Sequence, residues 1–129
     1  MDERALKKVV LDSGHGGTDG GTVANGLVEK DYNLKISEYI HKRLDEMGIP
    51  NSMTRTSDVT LTPSERPKKV QSFYGDGSDV IVVSNHINAG GANGKNVGKV
   101  SSVLFALKQK NFGSMLKFFC LYIVKKFVS

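Results

Sequence analysis

The sequence predicts an α/β fold, a mostly parallel sheet flanked by helices. Apolar runs at Lys8–Asp12 (KVVLD) and Asp79–Ser84 (DVIVVS) have the length and β-branched content of buried strands. Between them, Glu29–Met47 carries Leu34, Ile36, Ile40, Leu44 and Met47 at mostly three- and four-residue spacings, the pattern of an amphipathic helix. Strands alternating with helices imply parallel strands joined by crossover connections.

Taken in order, KVVLD runs into the glycine-rich loop of LDSGHGGTDGG, as a strand leaving a sheet would. The helix of Glu29–Met47 is stopped by Gly48 and Pro50. SMTRT then reads as a short, edge-like second strand. A second helix is expected over Thr62–Tyr74, because TPSE combines an N-cap threonine, a proline at the first helical position and a glutamate at the third. Pro67 lies one turn inside it and removes a backbone donor, so a bend or a later start is expected there. DVIVVS is the third strand.

The length of 129 residues fits one domain able to bury a core without staples, and the single cysteine, Cys120, cannot form an internal disulfide. In KFFCLY it reads as a buried, inert thiol rather than a nucleophile. The net charge of +5 is unevenly placed. Residues 1–86 hold 13 acids against 11 basic residues, a net −2, whereas from Ile87 onward there are 7 lysines and no acid. The basicity belongs to a tail that also holds five of the six phenylalanines, so it argues against a nucleic-acid partner and marks a compositional break. MDERALKKVV carries Asp2 and Glu3 where a secretory signal would be basic, and export by that route is not expected. Met115–Val128 is broken by lysines and shorter than the roughly 20 residues of a spanning helix, so no transmembrane segment is expected.

Functional groups in open α/β sheets gather beyond the carboxyl ends of parallel strands. His15 lies just past the first strand, His86 just past the third, and Glu29 at the start of the helix after the glycine loop. Two imidazoles and one carboxylate are the ligand set of many catalytic zinc sites, which keep a fourth position for water. Taken singly, the three have plainer explanations: a turn residue or anion contact, a charge offsetting the helix dipole, and a hydrogen-bonded loop histidine. Residue types and spacing leave both accounts open. His41, in HKRLDE, reads as solvent-facing.

Two phosphate motifs fail. The dinucleotide fingerprint needs a glycine where Asp19 stands, and GGANGKN has Ala89 at the required earlier glycine of a P-loop and Asn96 after the lysine. Nucleotide binding is not expected.

Four separated strings, VVLDSGHGGTDGG, NGLVEKDYNLKISEYI, MTRTSDVTLTPSER and DVIVVSNHINAGG, resemble in order and spacing the zinc-dependent N-acetylmuramoyl-L-alanine amidases of the third amidase family, which includes bacterial cell-wall amidases and phage endolysins. The resemblance implies a family-like core at residues 8–91 of a single domain spanning 1–129, with a divergent Lys/Phe-rich tail at 95–129. It implies that His15, Glu29 and His86 hold Zn2+, which lowers the pKa of water to about 7 for attack on an amide. The substrate it implies is peptidoglycan, cut between the lactyl group of muramic acid and L-alanine.

The family also uses a glutamate late in the chain for proton transfer, and here no acid follows Asp79, so the catalytic base is unassigned. With that departure the sequence is expected to be a truncated or frameshifted endolysin-type amidase of impaired activity. The alternative is a non-catalytic, zinc-dependent peptidoglycan-binding or regulatory remnant. A monomer is expected, cytoplasmic until lysis and then acting on the cell wall.

Overall fold

The computed structural model describes residues 7–23, 26–75, 77 and 79–87, and, as backbone alone, Ala24 and residues 88–89, 100–108 and 117–120. Strand β1 (Lys8–Ser13) leads through the glycine loop to a small hairpin of β2 (Val23–Ala24) and β3 (Leu27–Val28). There follow helix α1 (Glu29–Glu46), strand β4 (Asn51–Met53), helix α2 (Glu65–Tyr74) and strands β5 (Val80–Ala89), β6 (Val100–Lys108) and β7 (Lys117–Cys120). The main sheet runs β4-β1-β5-β6-β7. β1 lies between β4 and β5 and is parallel to both, with Leu11 opposite Met53 on one side and Val83 on the other.

The α/β expectation holds, and the sheet extends beyond its three parallel strands. β6 and β7 continue the sheet antiparallel, so its parallel part is β4-β1-β5. That addition moves a boundary. DVIVVS reads as a strand ending at Ser84, but β5 runs on through His86 to Ala89. β1 accompanies it only as far as the Ser13–Asn85 pair, and β6 supplies the backbone partners beyond, with His86 opposite Leu104. His86 therefore lies within a strand, not in a loop past one. The apolar stretch from Met115 includes strand β7, an extended segment at Lys117–Cys120. The Cys120 side chain and the rest of that stretch lie outside the described residues.

Side chains alternate across β1, and each face meets one helix. Val9 and Leu11 pack with Met53 and with Leu34, Ile40 and Leu44 of α1. The intervening Lys8 and Asp12 face α2: the Lys8 ammonium sits over the Tyr74 ring and Asp12 pairs with Arg66. Met47, expected on the apolar stripe of α1, is 65% exposed because the helix has ended before it. In the N-terminal half of α1 the buried line is polar: Glu29, Asn33 and Ser37, spaced by four.

α2 begins at Glu65, the later start that Pro67 suggests. The TPSE signal is nonetheless used, since Thr62 Oγ1 accepts the Glu65 N–H and the Glu65 carboxylate accepts the Thr62 N–H, a reciprocal capping box. His41 is not simply solvent-facing. Its ring meets Asn51 through Nδ1 and Asp45 through Nε2, tying the end of α1 to the start of β4.

Leu11 is 1% exposed at the centre of the apolar layer. Leu11→Ala is expected to cost about 2–5 kcal/mol in urea unfolding, and Met47→Ala less than about 0.5 kcal/mol.

Candidate metal centre

The glycine loop is shaped so that His15 can face the helix that follows it. His15 adopts φ 60, in the left-handed region that side chains with a Cβ rarely occupy. Gly21, at φ 66, permits the approach: a Cβ there would stand 2.6 Å from the His15 ring and 2.7 Å from Glu29 Oε2. At Gly14 a Cβ would stand 2.5 Å from the His86 ring. The chain is thus pared down to backbone on both sides of the imidazoles.

Glu29 is the first residue of α1, and two carbonyls of the loop cap its helix, Thr22 C=O accepting the Glu29 N–H and Gly20 C=O the Lys30 N–H. Its side chain is buried, 4% exposed. Oε2 accepts the Thr22 N–H at 2.9 Å; Oε1 accepts the Ile87 N–H at 2.9 Å and the Asn33 amide at 3.3 Å. Burial pushes this carboxyl's pKa up, but the three hydrogen bonds outweigh it, and the net pKa lies below the ordinary 4.5. The group is a buried carboxylate, not a surface charge offsetting the helix dipole.

Both imidazoles converge on that carboxylate. His15 Nε2 and His86 Nδ1 each lie 3.2 Å from Glu29 Oε1, and the rings meet edge to face with centroids 5.0 Å apart. One donor atom from each residue falls within 4.8 Å of the others. The other nitrogen of His15, Nδ1, lies 2.9 Å from Asp19 Oδ2. His15 and the Gly21 N–H hold the Asp19 carboxyl below its usual pKa range, so at neutral pH it only accepts, and Nδ1 must donate. In the neutral ring the Nε2 lone pair then points at a carboxylate oxygen. Two electron-rich atoms at that separation call for positive charge between them, a second proton or a metal cation. Two imidazole nitrogens and one carboxylate oxygen suit Zn2+, and Asp19 on the far nitrogen is the outer partner that such ligands usually have.

Sequence reasoning names His15, Glu29 and His86, and the structure brings all three together. Sequence reasoning gives no signal for Asn33, whose amide bonds the Glu29 carboxylate, beyond its position one helical turn after Glu29. Asp12, which ends the first strand in sequence, is consumed: its oxygens accept from Thr54, Arg66 and Ser84.

The sequence model of the N-acetylmuramoyl-L-alanine amidase family matches residues 9–115. The chain belongs to this family. The match continues past Gly91 into the Lys/Phe-rich segment. Over 84 residues the chain is 43% identical to the Bacillus subtilis (strain 168) protein YqiI, covering 65% of this chain and 39% of that one. The N-acetylmuramoyl-L-alanine amidase LytC of the same organism is 32% identical over 88 residues, 68% of this chain and 17% of LytC. Among solved structures, the catalytic domain of the amidase CwlV from Bacillus (Paenibacillus) polymyxa var. colistinus superposes with a TM-score of 0.59 at 29% identity, over 67% of this chain and 48% of that one. An N-acetylmuramoyl-L-alanine amidase from Clostridium difficile 630 gives 0.60 at 30% identity, over 67% and 46%. The chain therefore spans less than half the length of these relatives.

The lowered pKa of Glu29 fixes the sign of an acid effect. A carboxyl whose folded pKa is depressed stabilises the fold above its unfolded value, and that contribution is lost as pH falls through the folded one. Metal-free Glu29→Gln is expected to lose stability less steeply than wild type below pH 4.5, followed by circular dichroism.

Proposed function

We propose that this chain carries the zinc-binding part of an amidase that hydrolyses the bond between muramic acid and L-alanine in peptidoglycan, with His15, Glu29 and His86 holding the metal. The observation that carries this is the pair of imidazole nitrogens facing one buried carboxylate oxygen, each at 3.2 Å, in a chain of this family. Zn2+ at that point would supply Lewis-acid polarisation of the amide carbonyl and lower the pKa of water to about 7. The protein's part is orientation. Asp19 fixes the tautomer of His15, the Ile87 and Thr22 N–H groups keep Glu29 ionised, and Gly14 and Gly21 leave room for the rings.

Residues 80–129 contain no acid, so a late glutamate of the kind the resemblance implies is not among residues 1–129. Asp12 is saturated, and Asp19 is engaged with His15 and the Gly21 N–H. A positioned acid or base contributes about 10²–10⁴ in rate, so hydrolysis by the 129-residue chain is expected to fall short of an intact family member by about that factor. The residues 1–129 are taken as one domain that holds the metal with or without that turnover.

Metal content after exhaustive dialysis tests the ligand set: about one zinc per chain is expected in wild type and far less in His86→Ala. Equal zinc in both contradicts the assignment. Release of L-alanine amino termini from purified cell walls tests the activity. Turnover within about tenfold of an intact relative would show that another residue serves as the base, and zinc binding with no turnover at all would favour the binding or regulatory role.

A further inference from the structure

Two arginines close on the three peptide groups that lead from β1 into the glycine loop. Arg55 follows β4 and is 3% exposed. Its hydrogen bonds all end on backbone carbonyls: Nε on Ser13 at 3.3 Å, Nη1 on Ser57 at 3.2 Å, and Nη2 on both Gly14 at 3.1 Å and Lys30 at 2.8 Å. Arg66, in the first turn of α2, is anchored by Asp12 at 2.7 Å. It donates through Nη1 to the Ser13 carbonyl at 2.7 Å and through Nη2 to the His15 carbonyl at 3.2 Å.

The carbonyls chosen are informative. Gly14 and Lys30 are the sequence neighbours of His15 and Glu29, so a single nitrogen of Arg55 ties the backbone next to one to the backbone next to the other. Arg66 grips His15 itself, a residue held in a disfavoured conformation at φ 60. A buried cation is costly unless its surroundings compensate it, and here four carbonyl dipoles do so around Arg55. Only a planar fork of donors can reach them together; an ammonium at the same place is a point with three donors.

We propose that Arg55 and Arg66 are positioning residues that set metal affinity, by fixing the backbone from Ser13 to His15 and its separation from the start of α1. This rests on the reading of His15, Glu29 and His86 as metal ligands. Neither arginine touches the metal or the substrate; each acts through the ligand loop.

The test compares the full chain with Arg55→Lys, Arg66→Lys and, as control, Arg43→Lys, whose guanidinium pairs with Glu46 on the exposed side of α1. Zn2+ affinity is measured by competition with a chromogenic chelator, and the fold of each metal-free variant by circular dichroism. Affinity is expected to drop about 10- to 100-fold in Arg55→Lys and Arg66→Lys, with folded metal-free protein and an altered visible spectrum of the Co2+ form, and to stay unchanged in the control. Where a lysine variant does not fold, Asp12→Asn takes its place, since it removes the ion pair that aims Arg66 while keeping the side-chain shape, and it too is expected to bind zinc more weakly. Affinities within about twofold of wild type in the folded variants overturn the proposal, because outer partners that orient ligands act by more than that. Wild type that binds no zinc defeats the ligand reading itself.

Discussion

A carboxylate buried to 4% exposure has to be surrounded by donors, and around Glu29 they arrive from every segment that builds the site. Thr22 comes from the turn ahead of the hairpin, Asn33 from the next turn of α1 and Ile87 from β5, and the imidazole nitrogens of His15 and His86 face the same carboxylate from the glycine loop and β5. Satisfying one side chain therefore fixes the relative positions of loop, helix and strand. The glycines at 14 and 21, the left-handed His15 and the polar line on α1 all follow from letting those donors reach the same place.

That requirement continues inward through a chain of buried hydrogen bonds. The Asn33 side-chain amide donates to Glu29 and to the Gly14 carbonyl, while the Asn33 backbone carbonyl receives the Asn85 amide. The Ser13 hydroxyl donates to Ser37, and Ser37 to Asn85. Where an ordinary α/β core would place aliphatic side chains between helix and strand, this end of the sheet places serine and asparagine. The apolar packing of Val9, Leu11, Ile40 and Leu44 lies toward the other end of the same interface. The division suits a fold in which one end supplies stability and the other holds groups in fixed orientation, the arrangement expected of a site whose ligands come from distant sequence positions.

Much of this was legible in the sequence, for identifiable reasons. The β-branched runs, the helical spacing of Ile36, Ile40 and Leu44, and the capping box at Thr62 and Glu65 are local signals, and each marks a real element. The histidines and Glu29 could be placed at one sheet edge because parallel strands present their carboxyl ends together. The buried role of Asn33 and Ser37 was not legible, because a polar residue on an amphipathic helix reads as exposed unless its partner is known. Arg55 and Arg66 look like surface charges for the same reason: the carbonyls they hold in the glycine loop lie more than 40 positions away, which no side-chain pattern reveals. The extension of β5 through His86 depends on pairing with β6, a non-local contact in a segment whose composition breaks from what precedes it.

The central claim is that one carboxylate and two imidazoles from these three positions form a single metal-binding set. X-ray absorption spectroscopy at the zinc edge of the zinc-loaded protein tests it most directly. The account predicts a shell of nitrogen and oxygen scatterers alone at about 2.0 Å, with the outer-shell pattern of two imidazoles that falls to one in His15→Ala. A sulfur scatterer at about 2.3 Å, or an imidazole pattern unchanged by His15→Ala, would contradict it.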